Sequence, residues 1–461
     1  MSDTSFSTLP LSPAQLENLN GLGYVQMTAI QSHSLPLALA GKDLIAQAKT
    51  GSGKTAAFAL PIIAGLNPRD FGAQALVMCP TRELAAQVTT EIRRLARHHQ
   101  NIKVVTLVGG QPIGPQIGSL EHGAHIVVGT PGRILDHLRK QTLSVARVRT
   151  LVLDEADRML DMGFMDSIAA IIEATPRSRQ TLLFSATYPD DILALSARFQ
   201  TDPERISVES LHKESQIDQH FYICNKADKQ RALHTLLLHY APAAAVVFCN
   251  TKEATREVCR YLGAMHISAL ALHGDLEQRE RDQVMVQFRQ KSVRVLVATD
   301  VAARGLDIDD LAAVVNYDLP RDAEVYVHRI GRTGRAGKEG LALSLFADSE
   351  RYKIDSIGEY LNRELSFDAV ETLTVSSDKL PPPAYITLCI AGGRKDKVRP
   401  GDILGALTGD AGIAGSAVGK IDIMDRAAYV AIETAAAQKA LARLRNGKIK
   451  GRKFKVRALG G

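Results

Sequence analysis

The sequence predicts two α/β domains in tandem, each on a parallel sheet, followed by a small α+β unit of βαββαβ order. Three observations lead there. Short apolar runs recur along the chain, each closing on polar or glycine-rich residues and followed by a helical pattern. The pattern stops after Phe199 and restarts at Phe221. Beyond Ala384 both the element order and the charge change: residues 380–461 hold 15 Lys/Arg against 6 Asp/Glu, a balance of +9, while the preceding residues hold 41 against 44, a balance of −3. A basic appendage on a nearly neutral body points to a polyanion as partner.

The first set of runs is Ala75–Cys79, Val104–Val108, His125–Val128, Val148–Leu153 and Thr181–Phe184, with Asp43–Ala46 ahead of them. Continuous apolar runs are what strands buried on both faces require, and alternation with helices implies parallel pairing. Thr201–Gln216 is polar and irregular. The second set is Phe221–Cys224, Val246–Cys249, Ile267–Leu272, Val293–Ala298, Ala313–Val315 and Leu341–Phe346. Polar residues around Thr374–Lys379 and the run Pro381–Pro383 mark a further, semi-rigid boundary. The expected division is a first domain over 1–208, a linker over 209–217, a second domain over 218–370, a linker over 371–383 and a third domain over 384–461. In that third domain strands are expected at Ile386–Ile390, Val418–Ile423, Ala428–Ile432 and Phe454–Arg457, with helices at Pro400–Leu407 and Ala435–Arg445.

Composition is that of an ordinary globular chain, 45% hydrophobic and 23% charged. No run of about 18 apolar residues is present, so no membrane span is expected. The first residues, MSDTSFSTLPLSP, have neither a basic start nor an apolar core, which predicts no secretory leader. Cysteines 79, 224, 249, 259 and 389 are scattered without metal-ligand spacing and read as buried, reduced thiols. A cytoplasmic protein, monomeric and without membrane contact, is the expectation.

The segment Ala46–Thr55, AQAKTGSGKT, sits between an apolar run and a helix-forming stretch. Glycines 51 and 53 let successive N–H groups converge on one anion, Lys54 reaches the β/γ-phosphates and the Thr55 hydroxyl can ligate Mg²⁺. Ala48 stands where the usual pattern begins with glycine. A glycine-rich turn with an exposed lysine would read the same on this segment alone. The other strand ends argue against that. They carry Pro80-Thr81-Arg82-Glu83, Gly109-Gly110, Thr130-Pro131-Gly132-Arg133, Asp154-Glu155-Ala156-Asp157 and Ser185-Ala186-Thr187, on the edge where open α/β sheets bind ligands. Asp154 follows a buried-strand run, where a nucleotide hydrolase needs a carboxylate for Mg²⁺. Glu155 beside it can orient or deprotonate the attacking water.

Taken together, GYVQMTAIQ (23–31), AKTGSGKT (48–55), PTRELA (80–85), TPGR (130–133), Asp154–Asp157, SAT (185–187), ATDVAARGLDI (298–308) and HRIGRTGRAG (328–337) resemble the DEAD-box RNA helicases. The segments occur in that family's order and span residues 6–337. The basic unit further resembles the DbpA subfamily. The resemblance implies two RecA-like domains, ATP and Mg²⁺ as ligands, and RNA as substrate. It implies that Phe6 stacks on adenine and Gln31 reads its edge, within an adenine-recognition segment over 4–32 in which Met27 and Ala29 replace the usual prolines. Ala48, Lys49, Thr50, Gly51, Ser52, Gly53, Lys54 and Thr55 would cradle the phosphates. Thr55 and Asp154 would hold Mg²⁺, partly through water, Glu155 the attacking water and Asp307 the ribose. Arg332 and Arg335 would lie against the γ-phosphate. With Arg329 they form a run of guanidinium groups at every third residue beside His328, and planar multi-donor cations suit the charge of phosphoryl transfer.

By the same resemblance Asp157, Ser185, Thr187 and His328 couple hydrolysis to closure of the two domains. RNA contacts would come from Pro80, Thr81, Arg82, Gly109, Gly110, Thr130, Gly132 and Arg133, then from Thr251, Gln278, Arg281 and Thr299. Many are small residues, as expected where backbone meets phosphate without reading bases.

The βαββαβ order of the third domain is that of the RNA-recognition motif. Its stacking rings are depleted: Thr387 stands where a ring is expected in the first strand, and Tyr429 alone survives in the third. Nine basic residues and no acid lie between Lys439 and Arg457. Lys448, Lys450, Arg452, Lys453 and Lys455 are therefore expected to grip the backbone of a folded RNA, by the subfamily resemblance the large-subunit (23S) ribosomal RNA or its assembly particles. The alternatives are an ATP-gated RNA clamp, a general RNA chaperone without ribosomal specificity, and a DNA translocase, which fits the adenine-reading segment and RNA-type tail poorly.

Overall fold

The computed structural model describes residues 4–48, 52–185, 187, 190–208, 217–303, 311–334, 339–375, 377–409 and 412–459. Contacts divide the chain into two units, one of residues 1–212 with 305–307 and one of the remainder.

The first unit is a seven-stranded parallel sheet: β1 Leu44–Gln47, β2 Ala75–Met78, β3 Val104–Leu107, β4 Ile126–Gly129, β5 Thr150–Asp154, β6 Gln180–Ser185 and β7 Glu204–Ser207, in the order β3-β4-β2-β5-β6-β1-β7. Strands β2 and β4 are buried at every position, as strands with helices on both faces must be. Apolar side chains on the two faces feed two separate cores, around Leu44, Val77 and Phe184 on one side and Ile45, Leu76 and Leu183 on the other. Strand β7 falls inside Thr201–Gln216, which the sequence reads as irregular. It is an edge strand paired only to β1, with Ile206 its one buried residue, so it lacks the apolar run that marks its neighbours.

The second unit begins with another seven-stranded parallel sheet: β8 Ile217–Ile223, β9 Ala245–Cys249, β10 Ala269–Leu272, β11 Val295–Thr299, β12 Ala313–Asn316, β13 Gly340–Phe346 and β14 Asp368–Ala369, ordered β10-β11-β9-β12-β13-β8-β14. Two-residue β14 is too short to leave a sequence signal. Four of the five cysteines are buried and Cys259 is partly so.

The same unit ends in an antiparallel sheet of β15 Tyr385–Ile390, β16 Val418–Ile423, β17 Ala428–Glu433 and β18 Val456–Leu459, ordered β16-β17-β15-β18, with helices Pro400–Thr408 and Ala437–Asn446 on one face. Leu388, Val430 and Ile432 pack with Ile403, Leu407, Ala440 and Leu444 between sheet and helices. The last strand starts two residues later than its apolar pattern suggests. Phe454 precedes it, with its ring against Gly392, where an added Cβ would lie 2.3 Å from Phe454 Cε1.

The opposite face of this small sheet is also covered. Cys389, Tyr429 and Leu459 form a buried cluster with Val286 of the helix Gln278–Arg289. At that helix's C-terminus Gln290 accepts a hydrogen bond from Thr387 Oγ1 (2.9 Å) and donates to Asp422 Oδ2 (2.9 Å), while Ser292 and Thr387 share a hydroxyl contact at 2.5 Å. Thr387 is wholly buried and Tyr429 is 3% exposed. The connection between the domains follows suit, since Arg294 donates to the Pro381 carbonyl and Leu373 and Leu380 pack on the second sheet's core.

Candidate functional site

In a parallel sheet all carboxyl ends share one edge, and strand order decides which loops become neighbours. In the first unit β1, β6 and β5 are consecutive, so Ala48, Ser185 and Asp154 lie side by side. Strands β2, β4 and β3 are consecutive on the other half, which gathers Pro80–Arg82, Thr130–Arg133 and Gly109–Gly110. The edge is sorted into two halves with β5 next to both.

On the first half, Ala48 N–H donates to Ser185 O (3.0 Å) and the helix Lys54–Ala64 starts from Gly53 at φ +92°, a left-handed backbone that suits glycine. Gln31 donates from Nε2 to Gly53 O (3.1 Å) and accepts at Oε1 from Thr28 N–H (2.9 Å), while Thr28 Oγ1 donates to Ser52 O (2.7 Å). A carboxamide has two N–H groups and two lone pairs, so these bonds use half of Gln31. Phe6 is 3% exposed and meets Tyr24 edge-on at 6.0 Å. Lys49, Thr50 and Gly51 lie outside the described residues, as do Asp307 and Arg335.

Lys54 Nζ, Asp154 Oδ1, Ser52 Oγ and Ser185 Oγ are buried without a hydrogen-bond partner among the described residues. Buried polar atoms are costly unless paired, so a polar, charged ligand fits here. Burial pushes the Asp154 carboxyl up to about 7; Lys54 opposes this, Glu155 adds to it, Arg158 opposes and Asp157 adds. Glu155 turns the chain out of β5 with φ 54° and ψ 53°, and its Oε2 lies 2.6 Å from Arg158 Nη1, both side chains below 10% exposure. Asp157 accepts from Arg158 N–H (3.0 Å) and from Thr187 Oγ1 (3.2 Å).

On the second half, Thr81 caps the helix Arg82–Leu95 by accepting from Leu84 N–H. Arg82 lies over the Gly109-Gly110 turn, where a Cβ on Gly110 would fall 1.6 Å from Arg82 Nη1. Thr130 opens the helix Pro131–Arg139, and Arg133 donates twice to Gln111 O at 3.1 Å. These loops brace one another.

In the second unit β10, β11 and β9 are consecutive, which brings together Thr251, Thr299 and the helix that begins at Gln278. Thr251 caps Lys252–Ala264, Gln278 donates to Asp282 and Arg281 to Ala302 O. His328 sits half-buried on the helix Ala323–Ile330, 3.9 Å from Glu324, and Arg332 is buried just beyond it. Arg329 departs from the sequence reading that grouped it with Arg332 and Arg335. Its guanidinium makes two 2.7 Å bonds to Asp300 and further bonds to Asn316, Asp318 O and Asn250, at 2% exposure. Five bonds to the ends of β9, β11 and β12 make it the internal tie of this edge.

Three family models match: DEAD/DEAH box helicase over 28–195, helicase conserved C-terminal domain over 228–337 and DbpA RNA binding domain over 387–458. The chain is 54% identical to the ATP-dependent RNA helicase DbpA of Escherichia coli (strain K12), over 99% of this chain and all of that one. The chain belongs to the DEAD-box ATP-dependent RNA helicases.

The DbpA of Bacillus subtilis (strain 168) is 37% identical over 98% of both chains. Among solved structures, Saccharomyces cerevisiae Dbp5 bound to RNA and ADP BeF3 matches at 32% identity with a TM-score of 0.73, covering 80% of this chain and 96% of that one. The helicase thus uses ATP, binds RNA and carries an RNA-binding domain of the DbpA type. No helix among the described residues is long and apolar enough to cross a membrane.

Two features of this helicase were not visible in its sequence. Arg158 directly follows the four-residue acidic motif, where one more charge on a short helix looks unremarkable. Gln290 and Ser292, just past a helix end, hold the small sheet. The depletion of rings at Thr387 was the one available signal, and the structure has its hydroxyl meet a hydroxyl and a carboxamide there. Lys448, Lys450, Arg452, Lys453 and Lys455 are all exposed, and Lys450 and Gly451 turn with positive φ between the paired Ile449 and Arg452.

Proposed function

We propose that this helicase hydrolyses ATP to separate or remodel short RNA duplexes, and that its C-terminal domain directs it to structured RNA of the large ribosomal subunit, 23S rRNA or its assembly particles. The core of this reading is carried by the strand order of the first sheet, which collects the phosphate-type residues on one half of an edge and the small, braced loops on the other. Lys54 and the loop 48–53 hold the phosphates, with Thr55 and Asp154 holding Mg²⁺. That ion would neutralise charge on the phosphate oxygens. Lys54 Nζ, Asp154 Oδ1 and Ser52 Oγ, buried without a hydrogen-bond partner among the described residues, support the assignment.

Glu155 orients the attacking water, and Arg332 and Arg335 act on charge that develops on the transferred phosphoryl group. Phe6, Gln31 and Asp307 take the nucleoside. Asp157, Ser185, Thr187 and His328 couple turnover to RNA engagement, a role supported in part by the Thr187–Asp157 bond. Pro80, Thr81, Arg82, Gly109, Gly110, Thr130, Gly132, Arg133, Thr251, Gln278, Arg281 and Thr299 meet the RNA backbone, so the core acts on RNA regardless of sequence. The protein is proposed to work as a cytoplasmic monomer.

The test is ATP hydrolysis by the full chain against a panel of RNAs including large-subunit ribosomal fragments, with DNA of the same sequences alongside. Stimulation by one folded ribosomal fragment far above the others is expected. Equal stimulation by all RNAs would make it a general chaperone, and ATP-dependent binding without turnover would make it a clamp.

A further inference from the structure

We propose that Arg158 is a positioning residue for ATP hydrolysis, one that anchors the Glu155 carboxylate through Oε2 and ties it to the coupling residues Asp157 and Thr187. The proposal rests on the reading of Glu155 as the water-orienting group. An (i, i+3) ion pair on a helix surface contributes little. This one is different in kind. Both partners are buried, the contact is 2.6 Å, and the pair sits where β5 ends and the chain passes through a left-handed residue.

A carboxylate at the end of a rotatable side chain orients water well only if its plane is fixed. Anchoring one oxygen by a guanidinium fixes that plane, and a strong charge-assisted bond does so more tightly than a neutral donor. The backbone at Glu155 is restrained independently, because its carbonyl accepts from Met159 N–H at 3.2 Å. The link onward is short, through the neighbouring residue Asp157 and two hydrogen bonds. Arg158 N–H donates to Asp157 Oδ1, and Asp157 Oδ2 accepts from Thr187 Oγ1. A displacement of Thr187 is therefore passed to the residue that holds Glu155, which gives the coupling residues a mechanical route to the attacking water.

The test compares Arg158→Met, Arg158→Lys and Glu155→Gln in the full chain with saturating RNA. Misplacing a reacting group by about 1 Å costs up to about 10²-fold, so Arg158→Met is expected to lower kcat by about 10- to 100-fold while KM for ATP and RNA affinity stay within about threefold. Arg158→Lys, which keeps the charge, is expected to recover most of the rate. Arg158→Met placed on Glu155→Gln is expected to add no further loss, since the group it positions is already gone. Should Arg158→Met fail to fold, as judged by loss of fluorescent-nucleotide binding, the comparison moves to Arg158→Gln, a neutral donor expected to show a smaller kcat loss at unchanged KM. Full kcat in Arg158→Met, or in Arg158→Gln when that variant is the one compared, overturns the proposal. So does a multiplicative loss on the Glu155→Gln background. Near wild-type turnover by Glu155→Gln overturns the reading beneath it instead, whatever Arg158 does.

Discussion

Asp154 and Lys54, the residues proposed to meet the nucleotide, are both buried. A carboxyl pushed up from 3.8 to about 7 by burial is largely protonated in the ligand-free enzyme below neutrality. A divalent cation needs the carboxylate, so forming the metal–nucleotide complex at pH 6 should release close to one proton, and almost none at pH 8.5. Calorimetric titration in two buffers of different ionisation heat measures that number. The linkage to stability has a definite sign. Between 3.8 and about 7 the folded state holds a proton that the unfolded chain has lost, so this group's contribution to stability falls as pH rises through that window. Asp154→Asn should lack that component of the pH trend in thermal unfolding. For catalysis, Glu155→Gln should keep ATP and RNA binding and lose about 10²-fold or more in kcat, as expected on removing a water-orienting carboxylate. Lys54→Ala should instead weaken nucleotide binding. At this scale residue type alone suggested chemistry for Lys54, Asp154 and Glu155, and the structure buries all three side chains. Arg158 and Arg329 were not legible in this way, because an arginine's partner depends on which strand ends the fold brings beside it.

Among elements, the small antiparallel sheet is the one whose role the structure changes. A recognition-motif sheet is ordinarily open to bases, whereas here Thr387, Cys389, Tyr429 and Leu459 face the helix Gln278–Arg289 and its C-terminal residues. Tyr429→Ala is therefore a packing variant. Truncating a buried aromatic costs about 3 kcal/mol or more, and the expected signature is an earlier, separate unfolding transition for the C-terminal domain in the full chain. RNA affinity measured below that transition should stay within about twofold, as for substitutions remote from a contact. Neutralising Lys448, Lys450, Arg452, Lys453 and Lys455 should do the reverse. Folding should be unaffected, RNA binding should weaken, and the salt dependence should flatten by roughly 0.7 to 0.9 log units per lost phosphate contact. Depleted rings and a dense basic run predicted this split, yet the sequence offered no reason for the missing rings. A docked face and a merely degraded one look alike in sequence, because both replace aromatics with small or polar residues.

At the scale of the whole molecule, the alternation of apolar runs with helical patterns was enough to expect two parallel sheets, since the central strands are buried on both faces and their apolar runs advertise it. Strands β7 and β14 escaped because they carry no apolar run: Ile206 is the only buried residue of β7, and two-residue β14 has only a partly covered Ala369. Strand order was beyond reach as well, although it separates the two halves of the first edge. Removing residues 384–461 should leave an enzyme whose ATPase is weak and stimulated alike by any RNA. Persistence of selective stimulation in that truncated chain would move recognition into the core. The truncation also strips the cover from Val286, Gln290 and Ser292, so its solubility is best preserved with Val286 changed to a polar residue. The same contact bears on exchange of parts between helicases. A tail of this type grafted onto another DEAD-box core arrives with half of a joint: without counterparts of Val286, Gln290 and Ser292 it would hang from its proline-rich tether as a loose address label, binding its RNA at an angle the new core has no means to set.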